Sequence, residues 1–326
     1  MFRKIIMAFL LPFIVLSMIS CKSCKFREES KVGTNEVPLK LAFMPAPVED
    51  EVKAGARSVV DDLSKVSGLK IELAVVKNYM AIIDGLASRT IDVAFINSLG
   101  YLLSHDWSGT EAIFQLKGED GKNVYKTAII ARADSGIKTI EDINGKQFAF
   151  TDPYSMSGYL MPLYLFSEKG VKPAKTLFTG GSSDVVEMVY SGKVDAGAIY
   201  YAEHDPDGRI HDARVKLVDK YPDMVDKVAI IALSPPIPTT PIVFRKGLMP
   251  DVVKKLEGAF GALNTDQEAL GLLNKMYGAM GILKADEKSY DGIRDILKKL
   301  GKNTEEVVPG AVDFYKTHVW DVAPAL

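Results

Sequence analysis

The sequence predicts an α/β protein built as two related lobes, each a mixed, mostly parallel sheet flanked by helices. Three observations carry this. Short apolar runs alternate with helix-length segments, one helix–turn–strand unit occurs twice, and two extended segments lie where a chain would cross between halves. Strands alternating with helices build βαβ units, which set their strands side by side in parallel.

In order from Pro38, Leu39 to Phe43 is a short apolar run read as a strand, and Val48 to Lys65 is an amphipathic helix. Lys70 to Val76 reads as a strand, Tyr79 to Ser88 as a helix and Ile91 to Ile96 as a strand. The rhythm returns with Gln147 to Phe150 (strand), Gly158 to Lys169 and Asp184 to Ser191 (helices), and Asp195 to Tyr200 (strand). The stretches Ile83 to Ala94 and Val185 to Ala196 match: each is a helix, a polar turn, then Ile91-Asp92-Val93-Ala94 or Val194-Asp195-Ala196. Helix–turn–strand units also converge on such patterns without kinship. Thr127 to Arg132, leading into Ala133 to Gly136, and Val228 to Leu233, leading into Ser234 to Pro241, read as the two extended crossings, and Asp251 to Leu300 reads as helices packed on the first lobe. The expected division is residues 1–20 signal peptide, 21–37 lipidated cysteine and flexible tether, 38–133 with 237–326 lobe 1, and 134–236 lobe 2.

The first residues carry the localisation signal. Arg3 and Lys4 precede an apolar run from Ile5 to Ile19, shorter than the about 20 residues of a membrane span and proportioned like a signal-peptide core. It ends in Met18-Ile19-Ser20-Cys21, which resembles the lipobox of bacterial lipoproteins, where Cys21 would be lipidated and become the first mature residue. Met18 stands where such motifs more often carry Leu, and a plain cleaved signal is the alternative. Lys22 to Glu36 is charged and poor in large apolar residues, so it reads as a tether. The only cysteines, Cys21 and Cys24, lie at this junction, which leaves the folded part no disulfide, thiol nucleophile or cysteine-bound metal. The protein is thus expected at the cell envelope, lipid-anchored and extracytoplasmic.

Composition narrows the partners. Forty basic and 42 acidic side chains give a formal net charge of −2, without the basic surplus of a nucleic-acid binder. No G-x-S-x-G elbow, Walker A loop, G-x-G-x-x-G or H-E-x-x-H occurs. Ser135-Gly136-Ile137-Lys138 matches S-x-x-K but reads as a turn before Thr139. The histidines, 105, 204, 211 and 318, are scattered, and Glu203-His204-Asp205-Pro206-Asp207-Gly208 reads as an exposed loop more than a metal site. No metal or cofactor is expected.

The strongest constellation is Thr151 to Pro162, where Ser155-Met156-Ser157-Gly158 opens an apolar helix after a strand. Small residues there leave backbone N–H groups pointing outward at the positive end of the helix dipole, a ready site for phosphate-like anions. Plain N-capping by Ser155 or Ser157 is the competing reading. Gly180 to Asp184, with Ser182, offers a second such start, Asn78-Tyr79 a third and Asn97-Ser98 a fourth. In open α/β sheets ligands bind at these strand ends.

These segments together resemble the phosphate/phosphite/phosphonate-binding components of ABC transporters, PhnD-like proteins of the periplasmic-binding-protein superfamily. The resemblance covers about Leu39 to Leu300. It rests on Tyr79-x3-Ile83-x-Gly85 with Ile91 to Phe95, Asp152-Pro153 with Ser155 to Tyr159, Val194 to Gly197, and Ser234-x2-Ile237-Pro238-x2-Pro241-x2-Phe244-Arg245. It implies the two-lobed type II fold and an oxyanion held by Tyr79, by Ser155, Met156, Ser157 and Gly158, and by Asn97, Ser98, Ser182 and Tyr200 at the other strand and helix ends. Tyr125 resembles an aromatic that lines the cleft. Met156 replaces the threonine usual in the family's motif, and Ser182 stands where a histidine is frequent. No carboxylate lies between Pro238 and Pro241 to meet an ammonium group, although Glu203 or Asp205 could reach in. These departures favour a small, tail-less oxyanion over an aminoalkyl phosphonate. The reading is a monomeric binding protein without catalytic residues that closes on its ligand and docks on an ABC permease. The alternatives are a ligand-sensing partner of a membrane histidine kinase and an extracytoplasmic enzyme on the same scaffold.

Overall fold

The computed structural model describes residues 28–44, 50–204 and 208–308. The expected signal peptide, Cys21, Cys24, Asp205 and His318 lie outside them. Twelve strands and ten helices follow in chain order: β1 (Leu39–Phe43), α1 (Asp50–Ser67), β2 (Ile71–Ala74), α2 (Tyr79–Ala87), β3 (Val93–Phe95), α3 (Ser98–Ser108), β4 (Glu111–Gly118), β5 (Val124–Arg132), β6 (Gln147–Phe150), α4 (Met161–Lys169), β7 (Lys175–Phe178), α5 (Ser182–Tyr190), β8 (Ala196–Tyr201), α6 (Met224–Lys227), β9 (Val228–Leu233), β10 (Ile237–Pro238), β11 (Pro241–Phe244), α7 (Pro250–Ala262), α8 (Gln267–Tyr277), β12 (Ala279–Lys284), α9 (Asp291–Lys299) and α10 (Thr304–Val307).

Two sheets result, in the orders β12-β4-β11-β3-β1-β2 and β10-β5-β8-β6-β7, with β9 also on β5. The β1–β2, β1–β3, β6–β7 and β6–β8 pairs are parallel, as βαβ connections require. The other pairs, all involving β4, β5 or later strands, are antiparallel, so the sheets are mixed with fewer parallel pairs than expected. Each lobe is apolar on both sheet faces. Leu41, Phe95, Leu256 and Phe260 fill one face of the first sheet under α1, α7 and α8, and Ile82, Leu99 and Ile293 fill the other. Val185 and Val189 cover one face of the second sheet, and Phe148 and Phe166 the other.

Three expectations are corrected. The lobe boundaries move: Val124–Arg132 is an interior strand of the second sheet, between β8 on one side and β9 and β10 on the other, so the chain crosses at 119–123 and returns at Thr239 and Thr240. Ala128 to Ala131 are fully buried there, and such a run belongs to a core, not a hinge. The stretch expected to be all helix contains β12, which covers the open side of β4. Residues 28–37 are no tether. Val32 is buried, Gly33 bonds to Val37 and Lys70, and Glu29 reaches Arg245. Arg245, with Asp92, is buried, so it draws in the Glu29 carboxylate to share its charge.

Candidate functional site

A cleft of about 620 Å³ opens between the sheets, at the C-terminal ends of β1, β3 and β6. Lobe 1 supplies Met44, Asn78, Tyr79, Asn97, Leu116 to Gly118 and Tyr277 to Ala279. Lobe 2 supplies Tyr125, Asp152 to Ser157, Gly180 and Tyr200, and the return crossing supplies Thr239 and Thr240.

Ser155 has extended backbone and caps a wide helical turn, Met156–Leu160, that runs on into α4; its Oγ accepts the Gly158 N–H at 2.9 Å. The first amides of that turn have no intrahelical partner by construction. Ser157 and Met156 are buried in the cleft wall. Gly158 sits behind them: a Cβ there would overlap the Thr151 side chain, so only glycine lets the turn lie on β6. Sequence reasoning allowed both anion binding and capping at this start, and the geometry makes Ser155 do the capping while the amides stay open.

Two contacts draw the lobes together here. Asn97 Nδ2 donates to the Tyr154 carbonyl at 2.9 Å, and the Tyr79 and Tyr154 rings stand 4.7 Å apart. Tyr79 also hydrogen-bonds Asn97 Oδ1, which accepts the Gly100 amide at 2.9 Å as the cap of α3. On the opposite wall Tyr125 stacks on Tyr200 with ring centroids 5.2 Å apart. Burial pushes the Tyr200 phenol up to about 12 and raises Tyr79, Tyr125 and Tyr277 as well, so all are neutral donors at physiological pH.

The cleft therefore gathers Tyr79, Asn97, Tyr125, Ser155, Met156, Ser157 and Tyr200 among the residues expected from sequence. Ser98, Gly158 and Ser182 stand one layer behind. Ser98 Oγ donates to the Pro238 carbonyl at 3.0 Å, tying α3 to the return crossing, and Ser182 Oγ lies 3.5 Å from the Tyr200 amide. Glu203 does not turn in; it pairs with Lys126 at 2.6 Å. Lys117, Tyr154 and Tyr277 were not singled out from sequence. Tyr154 lies inside the Thr151 to Pro162 stretch, whereas nothing local marks Lys117 or Tyr277. Among the described lining residues Lys117 is the only cation and Asp152 the only carboxylate. Burial raises Asp152, and backbone hydrogen bonds from Tyr154 and Ser155 offset part of that. Among the described residues no group of three His, Cys, Asp or Glu side chains could hold a metal.

Two mixed α/β sheets facing each other across a cleft at their strand ends define a two-lobed solute-binding protein. The family described as "ABC transporter, phosphonate, periplasmic substrate-binding protein" matches residues 41–290, and the chain belongs to that family. It is 25% identical over 282 residues to the phosphate-import protein PhnD of Mycolicibacterium smegmatis, covering 81% of this chain and 86% of that one. It is 24% identical over 247 residues to the phosphonates-binding periplasmic protein of Escherichia coli, covering 74% and 70%. The fold matches that of PhnD1 from Prochlorococcus marinus, solved with methylphosphonate, at a TM-score of 0.64 and 20% identity, covering 81% of this chain and 98% of that one.

Proposed function

We propose that the chain captures a phosphorus oxyanion in the interlobe cleft and hands it to the permease of an ABC importer. The single observation that carries the ligand is the helix start at Ser155, whose cap is satisfied internally while its first amides open on the cleft. Asn97, Tyr125 and Tyr200 would close round the anion as neutral donors, Tyr79 would join them by turning its hydroxyl from Asn97 Oδ1 to the ligand, and hinge motion at 119–123 and 239–240 would admit and enclose it. Ser157 completes the oxyanion end, and Met156 shapes its wall without a hydroxyl. Binding alone does the work, with no chemical step.

Cys21 is proposed to carry a lipid that holds the protein, as a monomer, on the outer side of a membrane. Residues 28–37 dock on lobe 1, which leaves a short link of only a few residues between lipid and body. Replacing Cys21 with Ser should release the protein from the membrane fraction.

The test of the ligand is thermal unfolding of the mature chain with phosphate, phosphite, methylphosphonate and sulfate. A ligand at a hundredfold excess over its Kd stabilises the folded state by about 2.7 kcal/mol. A shift with a phosphorus oxyanion and none with sulfate supports the reading; no shift with any phosphorus compound overturns it.

A further inference from the structure

The cleft is longer than a bare oxyanion, and its two ends differ in charge. β3 and β4 are separated only by β11, and both run toward the cleft. The Ile96 amide bonds to the Pro241 carbonyl and the Leu116 amide to the Thr240 carbonyl. Asn97 and Lys117 therefore stand at the same level, two strand spacings apart, about 10 Å at roughly 4.8 Å per strand. The Asn97 end is where Tyr154 and the Ser155 helix start arrive from lobe 2. At the other end are Lys117, Gly118, Tyr277 and Gly278.

The space between is not the gap of parted lobes. The lobes already meet through Asn97 and Tyr154 at one end. At the other they meet through Glu119, which takes Asn274 Nδ2 at 3.3 Å and lies 3.2 Å from His211 Nδ1. Outside the cleft, Lys299 Nζ reaches the Tyr164 hydroxyl at 3.2 Å. The volume of about 620 Å³ falls within the range that encloses drug-sized ligands, about 300–1,000 Å³. A tetrahedral anion at the Ser155 start fills a small part of it.

Charge says what fills the rest. Asp152 belongs to the oxyanion end, where its Oδ1 accepts the Tyr154 amide at 2.8 Å. Lys117 has no ion pair among the described residues. The acids that follow it, Glu119 and Asp120, stand behind the lining residues: Glu119 is held by His211 and Asn274, Asp120 Oδ1 accepts the Lys122 amide at 3.0 Å and its other oxygen is buried, and the charges of both help to raise the Tyr200 phenol. An ammonium tail reaching the Lys117 end would meet a cation and, among the described residues that line that end, no carboxylate. A carboxylate would find Lys117 and the neutral phenols of Tyr200 and Tyr277.

We infer that the preferred ligand is a phosphonate whose tail ends in a second anionic group, with the phosphonate at the Ser155 helix start and the tail's anion at Lys117. This rests on the oxyanion-binding reading above and narrows it, replacing the tail-less ligand that sequence departures favoured. Lys117 is then the residue that sets tail specificity.

Isothermal titration of the mature chain with phosphite, methylphosphonate, 2-aminoethylphosphonate and 3-phosphonopropionate tests it. We expect 3-phosphonopropionate to bind about tenfold or more tighter than methylphosphonate, the gain of one charge-assisted hydrogen bond, and 2-aminoethylphosphonate to bind weakest of the three phosphonates. In Lys117→Met the ratio between 3-phosphonopropionate and methylphosphonate should collapse to within about twofold, and Lys117→Arg should keep it. Tightest binding of phosphite or 2-aminoethylphosphonate, or a preference that survives in Lys117→Met, overturns the inference while leaving the oxyanion reading in place. Binding of none of the four removes both.

Discussion

In lobe 1 the carboxylate of Asp92, at the turn into β3, accepts the Lys40 amide of β1 at 2.7 Å, and the Asp92 amide returns a bond to the Lys40 carbonyl. In lobe 2 Asp195, at the turn into β8, does the same with Gln147 of β6, at 2.8 Å and with the same return bond. The repeated Asp in the sequence is thus one device used twice, a side chain that latches a strand to its parallel neighbour. The lobes then diverge. Asp92 is fully buried and paired with Arg245 at 2.7 Å, which also binds Glu29 of the N-terminal segment, whereas Asp195 stays partly exposed. Helix starts diverge too: α2 and α3 are capped by Asn78 and Asn97, while α5 begins at Gly181 with no side-chain cap. Lobe 1 is the lobe on which the N-terminal segment docks, through Glu29 and Arg245. Lobe 2 is built with open amides toward the cleft.

The largest expected effect tests depth of burial. Asp92→Ala leaves Arg245 buried beside one partner in place of two and should cost about 3–5 kcal/mol of unfolding free energy. Asp195→Ala removes a partly exposed hydrogen bond and should cost about 1 kcal/mol. Urea denaturation of both variants measures the gap; equal losses would mean that the latch matters and its burial does not.

A second pair contrasts one glycine from each lobe, Gly85 inside the repeated unit and Gly197 just past it. A Cβ on Gly197 of β8 would overlap Val185 Cγ1 and come within 3.2 Å of the Ala149 carbonyl, and neither a β-branched side chain nor a strand backbone gives way easily. Gly197→Ala should cost about 1–3 kcal/mol. On Gly85, inside α2, the Cβ would overlap Ile91 Cδ1 and Cγ1 and lie 3.1 Å from Ile91 Cβ, but it would meet no backbone. There the helix propensity gained, about 1 kcal/mol, should offset part of the crowding and leave Gly85→Ala less costly than Gly197→Ala. Melting temperatures of the two variants decide it.

Capping sharpens the comparison at the site itself. Asn78→Ala and Ser155→Ala each lose one cap and should each cost about 1 kcal/mol of stability. Only Ser155→Ala should also weaken methylphosphonate binding by about tenfold, because the turn that aims the open amides loses its anchor. Equal losses of affinity would place the oxyanion nearer to α2 than proposed.

How much of this was legible in the sequence follows the range of the interactions involved. β1 and β6 were read to the residue because Leu39–Phe43 and Gln147–Phe150 end in apolar runs that local pattern reveals. β7 was missed because Lys175–Phe178 lies at a sheet edge and leaves Lys175, Thr176 and Phe178 exposed, without the apolar run of a buried strand. Residues 28–36 look like a tether by composition and are ordered by contacts distant in sequence: the burial of Val32, the bond from the Lys70 amide to Gly33 and the pairing of Glu29 with Arg245. Phe244-Arg245 and Ile91-Asp92 were read as family motifs, and they form a buried ion pair behind the sheet, not a ligand contact. Lys117 enters the cleft only because β12 and β11 hold β4 at the right level, a fact no local window contains.

Asp152 carries the smallest expected effect and the most direct test of which lobe holds the anion. Burial raises its folded-state pKa above the unfolded value, so the folded state keeps the proton to a higher pH. In that window the unfolded state binds fewer protons, and stability falls as pH rises through it. Below the unfolded value both states are protonated and the penalty is absent; above the folded value it is fully present. Asp152→Asn keeps the oxygen that accepts the Tyr154 amide and removes the charge. The variant should match the parent near pH 3 and gain on it up to neutral pH in thermal melts. If the oxyanion sits at the Ser155 start, Asp152→Asn should also bind methylphosphonate more tightly at pH 7, by on the order of 1 kcal/mol, the scale of one repulsion between unit charges at a solvated site. Unchanged affinity would move the anion away from lobe 2 and toward Lys117, which would invert the orientation of the ligand and leave the two ends of the cleft in place.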